Sequence, residues 1–404
     1  MGRSETIGSQ TPADNILSVS AALIASVIGA LFYNVLPLYL GAAADTKMLT
    51  SAQIGFLGAA FFLGFNFAGA SAFLWVRIWA WRTVSCVAVP IGLLALIASA
   101  ITPAYVVLLA LTAISGAAFG AMFSIAGVAL GDTYRPTRWY GVKTAIESLV
   151  GAALMIILTS SLSPWSGFGE TVGGMVVLVV LLSPMLFFLP AQRQTAPPGK
   201  TATKDNVSAP GGQRRVLCAL GVVLVFFAGN SGIWAFSERL GATSGFDPAS
   251  IGALLSLTLV CGVCGSLAVA AWGARVNTFL GVACACGAVV FALVILGLHL
   301  GFSGYAVGLC LYMVGWSAGV PLAFAEVARL DPDGRYTALA TPALGLGSMA
   351  GPAIVGVLFG EGHHTGPVIV FGVCCMVSTC VLAAAASPKD LAALLRGRAG
   401  SKAA

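Results

Sequence analysis

Three residues of one apolar stretch, Asn230, Trp234 and Glu238, are spaced four apart along the chain. Side chains four residues apart are neighbours on a helix, so these three form one stripe. Arg239 follows the carboxylate directly. The stripe predicts part of a cavity for a small organic solute, in which Glu238 also takes up a proton. The alternative is that Glu238 and Arg239 form a paired or solvated cap at the helix end.

Polar and aromatic residues of other apolar stretches extend this candidate site. The two halves of the sequence repeat each other, and Tyr33 and Asn34 of the first stretch correspond in that repeat to the region around Trp234 of the seventh. A lone Asn can instead bond neighbouring helices, and a Trp can serve packing alone. The expected substrate-binding set is Tyr33, Asn34, Asn66, Asn230, Trp234, Glu238, Arg239 and Trp316.

Carboxylates within apolar stretches are candidates for proton uptake, because an ionised side chain at bilayer depth costs roughly 2.5–3.5 kcal/mol on insertion scales. Glu147 lies in the fifth stretch, with Lys143 one turn before it, and Glu326 lies near the end of the tenth. We predict Glu147, Glu238 and Glu326 as the proton-coupling set. The alternative for Glu147 is a structural ion pair with Lys143 near the cytoplasmic surface, since structural ion pairs also perturb pKa values.

Charged residues also follow the second, fourth and tenth apolar stretches. Salt bridges among them are expected to form a cytoplasmic gate that holds an outward-facing state. The alternative is that they are solvated loop charges. The expected gate residues are Arg77, Asp132, Arg138, Asp331 and Arg335.

The composition requires a lipid environment for the helices that carry these residues. The chain has 404 residues, of which 58% are hydrophobic and 8% are charged, whereas soluble domains carry about 25% charged residues. Twelve apolar stretches approach the ~20 residues needed to cross a bilayer as a helix. The expected spans are 16–40, 52–74, 83–102, 104–131, 141–162, 172–190, 216–240, 250–273, 278–300, 304–328, 337–360 and 367–386.

The basic residues orient these spans. If the chain is divided at the twelve stretches, all of its 20 basic residues except Lys47 and Arg239 fall on one side. Lys and Arg in short loops stay on the cytoplasmic side during insertion. We therefore expect a multi-pass protein of the inner (plasma) membrane with both termini in the cytoplasm. The net charge of +6 then reflects topology, and no nucleic-acid partner is expected.

A polar, Pro- and Gly-rich segment at 191–215 separates two halves that repeat each other. Ser51-Ala-Gln-Ile-Gly55 opens the second span, and Pro248-Ala-Ser-Ile-Gly252 opens the eighth at the corresponding position. Such repeats are one way to build an alternating-access transporter. Ser51 and Asp247 are the expected helix caps at these two starts. The expected domains are a tail at 1–15, a six-helix bundle at 16–190, a linker at 191–215, a second bundle at 216–386 and a tail at 387–404.

Twelve spans, a basic central linker, inside termini and a two-half repeat together resemble the major facilitator superfamily (MFS) of secondary transporters. The resemblance implies an all-α membrane fold of two pseudo-symmetric six-helix bundles. It covers nearly the whole chain, from about residue 16 to residue 386.

Two motif regions depart from that family. Its loop between helices two and three usually carries an acidic residue, and the segment from Gly69 to Arg82 keeps the glycine and basic residues without it. Drug/proton antiporters carry a basic residue in helix four, and here Thr112 precedes Gly116 with no basic residue in that span. Their Gly-Pro signature in helix five is also missing. The departures argue against drug efflux.

The sequence therefore favours a secondary transporter that moves a small organic solute with protons across the inner membrane, with import favoured. An efflux antiporter for amphipathic compounds is the alternative within the same class. A solute receptor that does not transport is an alternative from another class. A membrane-embedded enzyme is not expected, because none of the three histidines lies deep in an apolar stretch. The expected partners are the solute, protons and lipid, with a monomeric protein, no cofactor and no metal.

Overall fold

The computed structural model describes residues 15–133, 136–159, 167–190, 212–272, 277–330, 339–360, 362 and 365–388. Within these residues the chain is helical and contains no strand, so the expected fold class is confirmed. A 3₁₀ turn at Ser183–Phe188 continues α6. The helices are α1 (Ile16–Lys47), α2 (Ser51–Trp75), α3 (Trp81–Ile101), α4 (Tyr105–Gly131), α5 (Pro136–Thr159), α6 (Phe168–Leu182), α7 (Gly212–Ala242), α8 (Pro248–Trp272), α9 (Thr278–Gly297), α10 (Gly301–Leu330), α11 (Ala340–Phe359) and α12 (Thr365–Ala386).

Side-chain caps fix several helix starts. Asp247 accepts a hydrogen bond from the Ser250 backbone N–H at 3.0 Å, as expected for the start of α8. At the start of α2 the cap is Thr50, whose side chain forms a capping box with Gln53. The expectation of a Ser51 cap was wrong by one residue. Ser51 instead lies in the first turn, and its hydroxyl donates to the Gly360 carbonyl at 2.7 Å.

All twelve helices are long and apolar enough to cross a membrane. Large apolar side chains such as Leu63, Phe67 and Leu181 are exposed on the outside of the bundle, as lipid-facing residues of a multi-pass membrane protein are. The most apolar windows of α1 and α7 are each 72% buried, compared with 28% for α6. Helices α1 and α7 are therefore central.

The helices pack mainly within two sequential sets of six. Helix α4 contacts α1, α2 and α3, and α10 correspondingly contacts α7, α8 and α9. Three principal pairs join the sets: α1 with α7, α2 with α11, and α5 with α8. We refer to α1–α6 and α7–α12 as the two halves. The linker side is the face where α6 ends and α7 begins, and the distal side is the face where α1 and α7 end.

Glycine allows the closest approach between the halves. Gly55 of α2 lies against the Pro352 carbonyl and the backbone of Gly356 on α11. A Cβ atom on Gly55 would overlap both groups, and a Cβ atom on Gly356 would overlap the backbone of Gly55. Small residues let membrane helices pack backbone to backbone. This contact holds α2 and α11 together near the distal side.

We predict that Gly55→Ala lowers the melting temperature (Tm) of the purified protein. The added methyl group meets backbone, which cannot move aside, and overpacking of this kind costs about 1–3 kcal/mol. Gly287→Ala on α9 is the matched control, because a Cβ atom there meets no neighbour. An unchanged Tm for Gly55→Ala, measured beside this control, would show that the α2–α11 contact is not tight.

Candidate functional site

An aromatic cluster lies where α1, α2, α7 and α10 meet, and we define it as Tyr33, Phe62, Trp234, Tyr312 and Trp316. The ring of Trp316 lies with its centroid 6.1 Å from Tyr33, 6.5 Å from Trp234 and 5.8 Å from Tyr312. The Tyr33 and Trp316 planes are 82° apart, an edge-to-face arrangement that aromatic pairs prefer. The structure thus brings together three predicted site residues, Tyr33, Trp234 and Trp316, from both halves.

A proline on α1 creates the polar link between the halves at this cluster. Pro37 lies inside α1, and a proline has no N–H to donate to the carbonyl four residues earlier. That carbonyl belongs to Tyr33, and the indole N–H of Trp234 donates to it at 3.1 Å. The same arrangement recurs within the second half. Pro321 frees the Ser317 carbonyl of α10, which accepts from the Ser266 hydroxyl at 3.4 Å.

Two polar atoms near the cluster lack a hydrogen-bond partner among the described residues. They are the indole nitrogen of Trp316 and the side-chain oxygen of Asn230, and both are buried. The Asn230 amide N–H donates to the Phe226 carbonyl at 2.8 Å and approaches Met376 of α12. Asn230 therefore faces the interior of the second half, while Trp234 faces α1.

A buried ion pair lies inside the first half. Lys143 Nζ is 2.8 Å from Glu147 Oε1, and both side chains are about one-tenth exposed. The Ser26 hydroxyl of α1 donates to the same carboxylate oxygen. Lys143 Nζ also lies 3.7 Å from the ring centroid of Phe123 on α4, a cation–π contact. Groups on α1, α4 and α5, all in the first half, therefore contact the two charges.

Asn34 and Asn66, both predicted to bind solute, make helix-to-helix hydrogen bonds in this structure. The Asn34 amide donates to the Glu147 carbonyl at 2.9 Å, which joins α1 to α5 beside the ion pair. The Asn66 amide donates to the Gly345 carbonyl at 3.0 Å, which joins α2 to α11 across the halves. Their positions fit the alternative reading of Asn as a bond between helices.

A second ion pair joins the halves on the distal side. Arg239 Nη2 of α7 lies 2.6 Å from Asp45 Oδ1 of α1, and Arg239 Nε lies 3.9 Å from Glu238 Oε2. The Glu238 carboxyl occupies the space that a side chain on Gly41 would fill. Glu238 Oε2 and Arg239 Nε are buried without a hydrogen-bond partner among the described atoms. Arg239, predicted to bind solute, is thus engaged with Asp45, and we call this Arg239–Asp45 pair the distal latch.

The linker-side charges that the structure describes pair within a half. Arg77 donates to both carboxylate oxygens of Asp132, at 2.5 and 2.9 Å, which ties the end of α2 to the end of α4. The side chain of Arg138, and all of Asp331 and Arg335, lie outside the described residues. The expected Arg77–Asp132 contact is therefore present, and it joins two helices of the first half.

Glu326 lies at the linker-side end of α10. Arg329 Nη2 is 2.8 Å from its Oε1, and the Ser387 hydroxyl beyond α12 donates to the same oxygen. The Glu326 side chain is 1% exposed. These contacts bind α10 to the end of α12, and they give Glu326 a structural role separate from the aromatic cluster.

Among the described residues, no group of three or more His, Cys, Asp and Glu side chains is placed to hold a metal ion. His299 lies in the turn before α10, and its Nε2 atom is 3.5 Å from the Thr365 hydroxyl. The described part of the chain therefore offers the aromatic cluster and the two ion pairs as its candidate functional groups.

Sequence reasoning missed three residues that complete these groups. Asp45 lies just beyond the expected first span and Arg239 lies at the end of the expected seventh span, so the two-half repeat places both at the same side of the membrane. Tyr312 lies one turn before Trp316 on α10 and donates to the Asn230 carbonyl at 2.5 Å. Phe62 on α2, whose ring centroid lies 6.2 Å from that of Tyr33, had no distinguishing sequence signal among many phenylalanines.

Neither a known family profile nor a curated protein matches this sequence. Solved structures do match. The chain is similar to a D-xylose-proton symporter, with a TM-score of 0.71 and 12% identity, and the match covers 89% of this chain and 96% of that one. It is similar to the nucleoside transporter NupG, with a TM-score of 0.68, 12% identity and coverages of 92% and 99%. It also resembles the MFS transporter FucP in its outward conformation, with a TM-score of 0.55, 15% identity and coverages of 92% and 99%.

At these identities the similarity concerns the fold. The twelve helices in two sequential sets, joined through α1–α7, α2–α11 and α5–α8, have a fold similar to that of these transporters, an MFS-like fold.

Proposed function

We propose that this chain is a secondary transporter of a small organic solute, working by alternating access. The two halves would rock about the aromatic cluster and expose it to one side of the membrane at a time. The chain would act as a monomer in the inner membrane, with its termini and linker in the cytoplasm. Two of the structurally similar proteins, a D-xylose-proton symporter and a nucleoside transporter, support a solute of metabolite size.

The single observation that carries this proposal is where the halves touch. On the distal side, cross-half contacts join α1 to α7 through the distal latch, α2 to the end of α11 through Ser51, and α5 to α8 where Thr159 packs on Gly252. Towards the linker side, the described ion pairs each stay within one half, and the Asn66–Gly345 hydrogen bond near the start of α11 crosses between the halves. Contacts of this kind can open on one side without breaking either bundle.

We infer that Glu147 couples transport to protons. Glu147 lies inside the first half, and the charge of its carboxylate is balanced by Lys143. Helix α1, which also carries Tyr33, contacts Glu147 through the hydrogen bonds of Ser26 and Asn34. A rearrangement of α1 that separates Glu147 from Lys143 would leave an ionised carboxylate in lipid, and proton uptake removes that cost. Glu238 is the second coupling candidate, since Arg239 lies between it and Asp45.

Import remains the favoured direction because the sequence lacks the antiporter signatures. A proton-linked efflux antiporter remains the alternative.

Solute-driven counterflow in proteoliposomes tests the transport class directly: a transporter accumulates labelled solute against an internal unlabelled pool, while a receptor does not. The solute for this assay is found by a ligand-dependent rise in Tm over a metabolite panel.

We predict that Asp45→Asn favours opening on the distal side. The substitution removes the charge that holds Arg239 to α1. The Asp45 side chain is 70% exposed, and exposed ion pairs contribute about 0.2–1 kcal/mol. Loss of that free energy should raise the population open to the distal side by about 1.4- to 5-fold. A cysteine at the buried position Ser237, in an otherwise cysteine-free protein, reports this as faster labelling by an impermeant thiol reagent.

The control for the latch is Asp247→Asn. Asp247 lies on the same side but caps α8 within its own half, so labelling at residue 237 should not change. Equal labelling rates for Asp45→Asn and the parent protein would mean that the Arg239–Asp45 pair does not hold the halves together.

We predict that Glu147→Gln abolishes proton-driven accumulation of the solute and preserves counterflow exchange. A neutral amide cannot gain or lose a proton, yet it fills the same space between Ser26 and Lys143. Accumulation under an imposed pH gradient and counterflow are measured in the same proteoliposomes. Glu170→Gln, at the distal start of α6, is the control and should keep both activities. Gradient-driven accumulation by Glu147→Gln at the parent rate would exclude Glu147 as the coupling group.

A further inference from the structure

We propose that the solute carries a positive charge, as a protonated amine or a quaternary ammonium group does, and that this charge pairs with Glu238 beside the aromatic cluster. This inference rests on the proposed transport function and names the substrate class of the same site. It follows from the balance of charges on the distal side, from the position of Glu238 and from the rings of the cluster.

The distal side carries an excess of negative charge, although the net charge of the chain is +6. Its charged side chains among the described residues are four carboxylates and two basic groups, namely Asp45, Glu170, Glu238, Asp247, Lys47 and Arg239. A surface with an excess of one sign attracts solutes of the opposite sign and raises their rate of association. The side from which import would start therefore favours cations.

Lys47 does not balance the carboxylates near the aromatic cluster. Its Nζ atom donates to the carbonyl groups of Ala100 and Thr102, at 3.2 and 2.6 Å, at the end of α3. The same atom lies 5.2 Å from the ring centroid of Phe168 on α6. Lys47 is thus occupied inside the first half, and Arg239 is left to serve both of its neighbouring carboxylates.

One guanidinium group is shared unequally by two carboxylates. Arg239 Nη2 lies 2.6 Å from Asp45 Oδ1, whereas Arg239 Nε lies 3.9 Å from Glu238 Oε2. Glu238 Oε2 is buried without a hydrogen-bond partner among the described residues. The two carboxylates exceed their cation by one charge, and burying an unpaired charge is strongly unfavourable. A positive charge on the solute removes this imbalance, and a negative charge would add to it.

Glu238 lies one helical turn from the aromatic cluster. It follows Trp234 by four residues on α7, a spacing at which side chains are neighbours, with about 5–6 Å between Cβ atoms. Both side chains meet α1, Trp234 at the Tyr33 carbonyl and Glu238 at Gly41. A cation next to this carboxylate can also lie over the face of an aromatic ring, a contact that is favourable when the cation is shielded from water.

The hydrogen-bonding groups of the cluster accept such a solute. The side-chain oxygen of Asn230 lacks a partner among the described residues, and the hydroxyl oxygens of Tyr33 and Tyr312 are further acceptors. A protonated amine supplies donors only. The unpartnered indole N–H of Trp316 requires one acceptor on the solute. Hydroxyl groups could satisfy the same atoms, so the charge of Glu238 selects the solute class.

The same charges give the cation a preference for the state that is closed on the distal side. In this structure Asp45 of α1 holds the Arg239 guanidinium away from Glu238. When the halves separate on the distal side, Asp45 leaves with α1, whereas Glu238 and Arg239 stay together on α7. Arg239 is then free to balance Glu238 in place of the solute. A ligand stabilises the state that it binds better, so the cation stabilises the closed distal latch.

The test is direct binding of tritiated choline and tritiated phenethylamine to the full chain in lipid nanodiscs. At least one of these two cations should bind saturably. Each has a neutral counterpart of similar shape, 3,3-dimethylbutan-1-ol for choline and 2-phenylethanol for phenethylamine. The neutral counterpart should compete about tenfold more weakly than the cation, because it lacks the charge that pairs with Glu238. Phenylacetate, an anion, should not compete.

Two variants test the assigned charges. Glu238→Gln keeps the shape of the side chain and removes its charge, so the cation should bind no better than its neutral counterpart. Asp45→Asn releases Arg239 to balance Glu238, so the affinity for the cation should fall by about 1.4- to 5-fold. The matched controls are Glu170→Gln, at the start of α6, and Asp247→Asn, at the cap of α8. Both controls remove another distal carboxylate and should bind the cation as the parent does.

The proposal is overturned if neither cation binds, if the neutral counterpart binds as tightly as the cation, or if Glu238→Gln keeps the parental preference for the cation. The comparison of a cation with its neutral counterpart uses the parent protein, so it decides the matter even where Glu238→Gln does not fold.

Counterflow separates a failure of this proposal from a failure of the proposed function. Counterflow of D-xylose without binding of either cation would refute the substrate class and leave transport standing. Saturable binding of a cation without its counterflow would support the substrate class and refute transport.

Discussion

A membrane interior has no water to satisfy polar groups, so each polar group of these helices must find a partner in the protein. The hydrogen bond between Trp234 and the Tyr33 carbonyl shows how this constraint shapes the molecule. Pro37 leaves the carbonyl without its helical donor, and the vacancy is filled from the other half of the chain. This hydrogen bond joins the two halves at the aromatic cluster.

The ion pairs divide into two kinds under the same constraint. Lys143–Glu147, Arg77–Asp132 and Glu326–Arg329 each lie within one half, so each ion pair holds together helices of a single bundle or residues of one helix. Arg239–Asp45 crosses between the halves on the distal side. Backbone packing of Gly55 on Gly356 reinforces the same side. Rigid halves with exchangeable cross-half contacts are what alternating access requires.

The sequence alone predicted the twelve helices and the fold, because apolar length and the asymmetry of basic residues are strong signals in a membrane protein. It also singled out Tyr33, Trp234 and Trp316, which the structure places together in the aromatic cluster, since polar and aromatic residues are conspicuous in apolar helices. Partners across the halves were harder to predict. The sequence analysis did not single out Asp45, which the fold places beside Arg239. Asn34 and Asn66 were predicted to bind solute and make helix-to-helix hydrogen bonds in the structure, because an Asn that binds solute and one that joins helices look alike in sequence.

Whether the halves exchange their contacts is tested most directly by spin-label distances on the two sides of one protein. Labels would be placed in a variant lacking the ten native cysteines, on exposed positions of opposite halves. Met48 and Ser244 report the distal side, and Ile78 and Leu339 report the linker side. Alternating access predicts that, when the pH is lowered or solute is added, one distance lengthens as the other shortens. Two distances that lengthen together, or that never change, would contradict the account.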